Sequence, residues 1–590
     1  MGPSAWFTLA VVIATVLALA REWVAPSIAV VGAMVVLLVT GVVSPQQAFA
    51  GFSNPAPITV AALFVLARAV EKTGVLLPLV AGTLSGEAST RGNLTRLLLP
   101  AAGASAFLNN TPIVAMLIPQ VSAWAERRGV PISWYLMPLS FAAILGGMVT
   151  LIGTSTNLVV SGLLQEAGHA PLGMFEMTGI GLPAALLGLL VLIVLAPILL
   201  PDRRGLKKRF EEEFREFTLE MEVERGGAAD GQSVEEAGLR HLEGVFLVRI
   251  EREGRVLAPV APEEALEGGD LLGFVGRADL VVDLQSIPGL RSREYKHTDP
   301  FRDEAHSFFE VVVSPVSPLV GVSLKELGFR EHYQAAVLAI HRAGDRVREK
   351  LGEVTLRPGD TLLLLADHEF RDRWRDRRDF LVVSPLDGSL PPGNARGPLI
   401  LALVVGVVLL AAVGLVPILN GALLAAIVVV LTGTLTPNEA RSAVDLDVIL
   451  LIAAAFGIGN AIEASGLAMA AVGLFVDPAM ALGPVAVLAA VVVATFLLTE
   501  LITNNAAAVL MFPVATAAAL SIGVDPRAFA VGVALTASAS FLTPIGYQTN
   551  TMVYGPGGYH FRDYPRLGLP LSLVVMVVII LLISVRWNLL

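Results

Sequence analysis

Cysteine is absent from all 590 residues, which excludes disulfides, thiolate metal sites and thiol catalysis. Charge is scarce, at 16% of residues, and very uneven. Of 41 Lys and Arg and 51 Asp and Glu, 66 fall within residues 201–396 and only 26 in the other 394 positions. The net charge of −10 comes mostly from that central stretch, so it carries no message about an acidic partner. The histidines lack metal-ligand spacing, and no nucleophile–base pair or phosphate loop stands out, which argues against an enzyme. What is abundant is apolar sequence: 55% hydrophobic residues and a mean hydropathy of +0.71. The chain therefore reads as two membrane halves, 1–200 and 397–590, around an insert at 201–396. The apolar run Trp6–Ala20 lacks a basic segment before it, so it is expected to be a retained membrane helix rather than a signal peptide.

The two halves repeat each other. Ser105-Ala-Phe-Leu-Asn-Asn110-Thr-Pro matches Thr499-Glu-Leu-Ile-Thr-Asn504-Asn-Ala at an offset of 394. Gly153-Thr-Ser-Thr-Asn157 matches Gly546-Tyr-Gln-Thr-Asn550 at 393. Ser44-Pro-Gln-Gln-Ala48 matches Thr436-Pro-Asn-Glu-Ala440, and Glu71-Lys-Thr-Gly74 matches Glu463-Ala-Ser-Gly466, both at 392. Repeats with polar breaks at matching depths are a mark of secondary transporters.

A crossing helix needs about 20 apolar residues. Crossings are predicted near 5–22, 25–43, 54–71, 134–164 and 176–200, and again near 397–416, 418–435, 446–462, 526–556 and 567–587. The segments 94–124 and 482–519 carry their Asn residues mid-length, where a lipid-facing helix could not keep them. They are predicted to be re-entrant hairpins with Asn-bearing tips; the alternative is one long helix with a polar kink. Five crossings per half invert the second repeat. With the N-terminus outside, ten Lys and Arg of the membrane halves, together with Arg203 and Arg204 at the start of the insert, fall on the cytoplasmic side, and only Arg527 and Arg586 fall outside. The fold class expected is an α-helical polytopic membrane protein of two inverted repeats with broken helices, plus a soluble α+β insert on the cytoplasmic side of the inner membrane.

The insert holds two similar blocks, at about 220–280 and 305–370. Each has alternating apolar strands and a Gly-Asp turn before the last strand (Gly269-Asp270 and Gly359-Asp360). It resembles a tandem of the C-terminal regulatory (RCK) domain of Trk-type potassium uptake and conductance regulators. No Gly-x-Gly-x-x-Gly accompanies it, so the nucleotide-binding half of those regulators is missing. The Arg371–Arg378 run is expected to be a solvated face.

Amides and hydroxyls deep in a membrane are expensive unless they bind something. Helix breaks expose N–H groups that suit an anion and carbonyl oxygens that suit Na⁺, so broken helices supply a joint anion and cation site. The competing explanation is plain interhelical hydrogen bonding. Glu500, beside the second tip, is expected to cap or orient the hairpin, with a proton relay as the alternative. Glu71 and Glu463 read as solvated interfacial groups.

At these four motifs the chain resembles the divalent anion/sodium symporter family of dicarboxylate, citrate and sulfate carriers. The family's Ser-Asn-Thr hairpin tips fall on Asn109-Asn110-Thr111 and Thr503-Asn504-Asn505. Its second motif falls on Gly153-Thr154-Ser155-Thr156-Asn157 and on Gly546-Tyr547-Gln548-Thr549-Asn550, without the family's two prolines. The resemblance implies substrate contacts at Asn109, Asn110, Thr111, Thr154, Ser155, Asn157, Thr503, Asn504, Asn505, Tyr547, Gln548 and Asn550. It implies sodium sites around Ser105, Asn110 and Gly153, and around Thr499, Asn504 and Gly546. It further implies an elevator mechanism and a homodimer. With its regulatory-domain insert and its Leu108-Asn-Asn-Thr-Pro112 and Gly153-Thr-Ser-Thr-Asn157 motifs, the chain resembles the sulfate-type branch of the family; no Lys or Arg occurs at any of the four motifs, so a dianion would be held by amides, hydroxyls, helix N-termini and co-bound Na⁺. Na⁺ is the expected coupling ion, with no organic cofactor. Three functions stay open: a Na⁺–sulfate symporter, a carrier of dicarboxylate or another anion, and a membrane anion sensor whose insert binds a small regulatory ligand.

Overall fold

A computed structural model describes residues 2–21, 23–75, 89–203, 218–239, 245–252, 255–257, 260–276, 288–292, 306–314, 317–342, 345–347, 351–367, 369–374, 377, 379–385, 396–480 and 482–590. The first repeat runs α1 (Pro3–Ala20), α2 (Pro26–Val39), α3 (Pro45–Ser53), α4 (Pro55–Thr73), the pair α5 (Thr90–Ser105) and α6 (Asn110–Arg128), the pair α7 (Ser133–Gly147) and α8 (Ser155–Glu166), and α9 (Thr178–Leu199). Two short insert helices follow, α10 (Phe329–Tyr333) and α11 (Phe370–Trp374). The second repeat runs α12 (Gly397–Ala412), α13 (Ile418–Leu431), α14 (Pro437–Ala443), α15 (Leu446–Ala464), α16 (Leu467–Met480), the pairs α17 (Pro484–Thr499) with α18 (Asn504–Ser521) and α19 (Pro526–Ser538) with α20 (Gln548–Tyr554), and α21 (Asp563–Arg586). Five helical segments among the described residues are long and apolar enough to cross a membrane alone: Pro45–Thr73, Thr178–Leu199, Leu446–Ala464, Asn504–Ser521 and Asp563–Arg586.

The repeated sequence pairs are punctuation for this backbone. Ser44 and Thr436 begin α3 and α14 with reciprocal capping boxes. Gln47 N donates to Ser44 Oγ at 3.3 Å and Glu439 N to Thr436 Oγ1 at 3.2 Å, with Pro at the first helical position of each. These two helices, and α16, were not among the expected crossings: α3 and α14 are too short to hold an apolar run, and the apolar run of α16, 14 residues, is shorter than a crossing needs. The segment matching α16 in the first repeat lies outside the described residues. Gly74 and Gly466 end α4 and α15 in the left-handed region, at φ 61° and 77°. The expected hairpins are helix pairs joined by four-residue turns, 106–109 and 500–503, and the arms of each pair pack on each other. The expected crossings near 134–164 and 526–556 are each broken, over 148–154 and 539–547.

The insert contains two five-stranded antiparallel sheets of the same topology. The first comprises β1 (Thr218–Val223), β2 (Val245–Arg252), β3 (Arg255–Leu257), β4 (Leu271–Gly276) and β5 (Leu290–Ser292), in the order β3-β2-β4-β1-β5. The second comprises β6 (His306–Val313), β7 (Ala335–Arg342), β8 (Asp345–Arg346), β9 (Thr361–Asp367) and β10 (Phe380–Pro385), in the order β10-β6-β9-β7-β8. Each fixes its last turn with a buried carboxylate: Arg252 clamps Asp270 at 2.9 and 2.8 Å, and Arg342 clamps Asp360 at 2.8 and 2.7 Å.

In the membrane part, α12 and α13 pack with α4, and α2 and α3 pack on α15. The two helix pairs, both broken helices, α9 and α21 form the other assembly. Between the two lies a partly open apolar cavity, lined by Val60, Leu63 and Phe64 of α4, Val404 and Val407 of α12, and the tip residue Asn109.

Candidate functional site

Four helices begin at one place. Asn110 starts α6, Ser155 starts α8, Asn504 starts α18 and Gln548 starts α20. The sequence turns the tips at Ala106–Asn109 and Glu500–Thr503 and breaks the two crossings with Gly and polar residues, so the first-turn N–H groups of each helix lack intrahelical partners. The pairing across the centre is crossed between repeats. The first hairpin tip meets the second repeat's break: Asn110 lies 2.6 Å from Tyr547 OH, and Thr111 Oγ1 donates to Gln548 Oε1 at 3.1 Å. The second tip meets the first repeat's break: Ser155 Oγ and Thr156 Oγ1 donate to Asn505 Oδ1 at 3.2 and 3.0 Å, and Asn504 Nδ2 donates to Thr156 Oγ1 at 2.7 Å. Thr111–Gln548 and Asn505–Ser155 are repeat-equivalent pairs. Tyr547 OH also lies 3.3 Å from Thr154 Oγ1, which joins the two halves into one polar centre.

Asn110 is fully buried in a cage of oxygens. Its amide approaches Ser105 Oγ at 2.6 Å, Ala143 O at 3.1 Å and Gly153 O at 3.2 Å. With the amide nitrogen turned to this face, all three accept hydrogen bonds from it. With the amide oxygen there, Ser105 Oγ donates to it at 2.6 Å, and Ala143 O and Gly153 O lie beside it as two further oxygens. Gly147 and Gly153 make this approach feasible. A Cβ on Gly153 would meet Gly147 O at 2.6 Å and Ser105 O at 2.9 Å, and a Cβ on Gly147 would meet Asn110 Oδ1 at 2.6 Å.

The equivalent cradle in the second repeat differs. Thr499, the repeat mate of Ser105, donates to Ala537 O at 2.6 Å instead of to the tip Asn. Glu500 is buried, and its Oε1 accepts from Phe541 N at 2.7 Å and Leu542 N at 3.0 Å, where α19 ends. That arrangement orients the hairpin against the break. Ser540 and Thr543 stand beside this carboxylate, and a Cβ on Gly546 would run into Ser540 Oγ.

Asn157 and Asn550 do different work from the tip residues. Asn157 Nδ2 donates to Gly147 O (3.2 Å) and Thr150 O (2.9 Å), and Asn550 Nδ2 to Ser540 O (3.1 Å) and Thr543 O (3.2 Å). The offsets, ten and seven residues back, are identical. Both amides tie off the carbonyls of the break they follow. Asn109 and Thr503 lie within the turns; Asn109 lines the apolar cavity, and Thr503 Oγ1 is buried without a partner among the described residues. Sequence reasoning missed Gly147, Thr150, Ser540 and Thr543, although Thr150-Leu-Ile-Gly153 and Thr543-Pro-Ile-Gly546 share the 393-residue offset. It also missed Ser140, which donates to Asn550 Oδ1 at 2.7 Å and has a Val at its repeat position.

Comparison with known proteins places this geometry. The citrate transporter family's sequence profile matches residues 15–534. An uncharacterized transporter of Synechocystis is 35% identical over 98% of this chain and 97% of its own length. A putative sulfur deprivation response regulator of Chlamydomonas reinhardtii is 34% identical over 92% of this chain and 95% of its own. Sodium/sulfate cotransporter 1 of the same alga is 25% identical over the full chain and 91% of its own. The chain is a membrane transporter, not an enzyme, and belongs to the citrate transporter family, within the divalent anion/sodium symporters its motifs resemble.

Proposed function

We propose that the protein is a Na⁺-coupled symporter that imports a divalent oxyanion, sulfate first among them, across the inner membrane. The observation that carries this reading is the convergence of the N-termini of α6, α8 and α18 on a centre of amides and hydroxyls. Each terminus offers roughly half a positive charge. Three of them fall short of neutralising a dianion, and no Lys or Arg stands in the motifs to complete the balance. Co-transported Na⁺ supplies the remainder. With the Asn110 amide oxygen turned inward, the cage of Ser105, Ala143, Gly153 and Asn110 is an all-oxygen donor set suited to a hard cation. The anion is held by Asn110, Thr111, Ser155, Asn504, Asn505 and the Tyr547–Gln548 pair, whose donors suit the oxygens of a small tetrahedral ion. The relative named as a sodium/sulfate cotransporter supports both the ion and the anion.

In this reading the helix pairs and broken helices carry the site past α4 and α12 as an elevator, with the apolar cavity as part of the sliding seam. The scaffold forms the homodimer, and the insert, two RCK-like domains at about 220–280 and 305–370, lies in the cytoplasm. The test is uptake of labelled sulfate into proteoliposomes. Uptake should require an inward Na⁺ gradient and resist competition by succinate and citrate. Uptake driven by a proton gradient, or blocked by succinate at equal concentration, overturns the assignment. The relative named as a sulfur deprivation response regulator favours a second reading, an anion sensor. Sulfate binding without net uptake would select it.

A further inference from the structure

The second unit of the insert is seated on the membrane part at one defined place. Val312 of β6 is fully buried within the membrane core, and Leu381 of β10 packs against that core. Strand β10 also packs on α6, the helix that starts at Asn110. The closest approach brings the Thr361 side chain and the Gly359 carbonyl against Gly555. The turn Gly359-Asp360-Thr361 abuts the end of α20 at Gly555. A Cβ on Gly555 would fall inside the contact distance of Thr361 Oγ1 and 3.3 Å from Gly359 O. A Cβ on Gly359 would touch Thr551 Cγ2 at 3.6 Å and Tyr554 Cδ1 at 3.8 Å. Thr361 Oγ1 is buried there and meets no hydrogen-bond partner among the described residues.

The turn is stiff. Gly359 sits at φ +79°, and Asp360 Oδ2 accepts from Arg357 N at 2.8 Å while Arg342 grips the same carboxylate. The first unit builds the same turn 90 residues earlier. There a Cβ on Gly269 would find Arg225 Nε at 3.4 Å, a neighbour within its own unit. The turn is thus common to both units, and its seat on α20 is particular to the second.

Helix α20 is only seven residues long, about 10 Å. One end rests on this turn; the other begins with Gln548, next to Tyr547, the partners of Thr111 and Asn110. A helix is stiff along its axis, so a shift imposed at Gly555 is passed to Tyr547 and Gln548. We infer that the Gly359–Thr361 turn is a positioning element of the anion site, setting the distance between the Tyr547–Gln548 pair and the first hairpin tip. The insert thereby tunes anion affinity through α20, and anion binding is felt at the insert by the same factor. The inference rests on the reading of Tyr547 and Gln548 as part of the anion site.

The test is a double-mutant cycle on the full chain, read as sulfate affinity. Gly555→Ala adds a methyl where Thr361 stands and is expected to weaken sulfate binding about tenfold. Thr361→Gly alone is expected to weaken it about threefold by loosening the seat, and adding Thr361→Gly to Gly555→Ala is expected to recover most of the loss. Such compensation is not the behaviour of two unrelated stability defects. Tyr547→Phe serves as the control on the site. If Tyr547→Phe weakens sulfate binding while Gly555→Ala and Thr361→Gly leave it unchanged, or combine additively, the positioning role is overturned. If Tyr547→Phe has no effect, the site reading itself has failed. Should Gly555→Ala not fold, Thr361→Gly decides alone: wild-type affinity contradicts the inference.

Discussion

The two repeats share a backbone but not a chemistry. Both begin a helix at the tip Asn, both tie off the break with an Asn reaching back ten and seven residues, and both need Gly where chains meet. In the first repeat the amide of Asn110 is enclosed by a hydroxyl, two carbonyls and Tyr547 OH. In the second, Thr499 has turned away to Ala537 O, Asn504 keeps one described bond, to Thr156, and a carboxylate occupies the flank. Duplication set where the backbone breaks. Differences at single side chains make the two half-sites unequal.

That inequality can be broken or sharpened by experiment. The largest effect is expected for Asn110→Ala. It empties a buried position with two short polar contacts, and loss of transport of about a hundredfold is expected, consistent with two buried bonds at 1–3 kcal/mol left unmade. Asn504→Ala, at a half-buried position with one bond, is expected to lose about tenfold. Uptake assays on both variants decide; equal losses would mean that the two tips are equivalent after all. Next is Na⁺ dependence. Ser105→Ala should weaken apparent Na⁺ affinity about tenfold, whereas Thr499→Ala should change it by less than about threefold, because that hydroxyl is already engaged by Ala537 O. A larger effect from Thr499→Ala would place the principal cation site in the second repeat.

Glu500→Gln should hold uptake within about threefold of wild type and leave Na⁺ dependence intact, since an amide oxygen can still accept from Phe541 N and Leu542 N. Loss of pH-driven uptake in this variant would instead reveal a proton relay. The smallest effect concerns the interfacial helix α14. Burial raises the Glu439 carboxyl, but its bonds to Lys72, at 2.5 Å, and to Thr436 outweigh that and bring its pKa down to about 2. A pKa depressed in the fold stabilises above the unfolded value and is lost as pH falls, here between about 4.5 and 2. The pair is partly exposed, so Glu439→Gln is expected to cost no more than about 1 kcal/mol at pH 7 and nothing near pH 2. A thermal-shift series over pH checks this.

Much of this was legible in the sequence because the repeat is long and its polar breaks stand out against apolar surroundings. The helix pairs, the broken crossings and the duplicated insert topology all follow from such contrasts. Sequence also marked the tip and break residues, but it could not show that each tip pairs with the opposite repeat's break, since that depends on how the repeats interlock. It could not separate Asn110, at the centre, from Asn157, which holds backbone: both are an Asn beside small residues. The seat of Gly555 on Thr361 was invisible for the same reason, as a contact between residues about 190 apart has no periodic signature. Short helices such as α3 and α14 escaped because only their capping boxes announce them.

The most direct measurement is equilibrium sulfate binding to the purified protein across a Na⁺ titration. The account expects sulfate affinity to rise at least tenfold between Na⁺-free and saturating Na⁺, with sulfate raising Na⁺ affinity by the same factor, and Ser105→Ala to shift the Na⁺ midpoint upward. Sulfate binding of equal strength with and without Na⁺ would contradict the joint anion and cation centre.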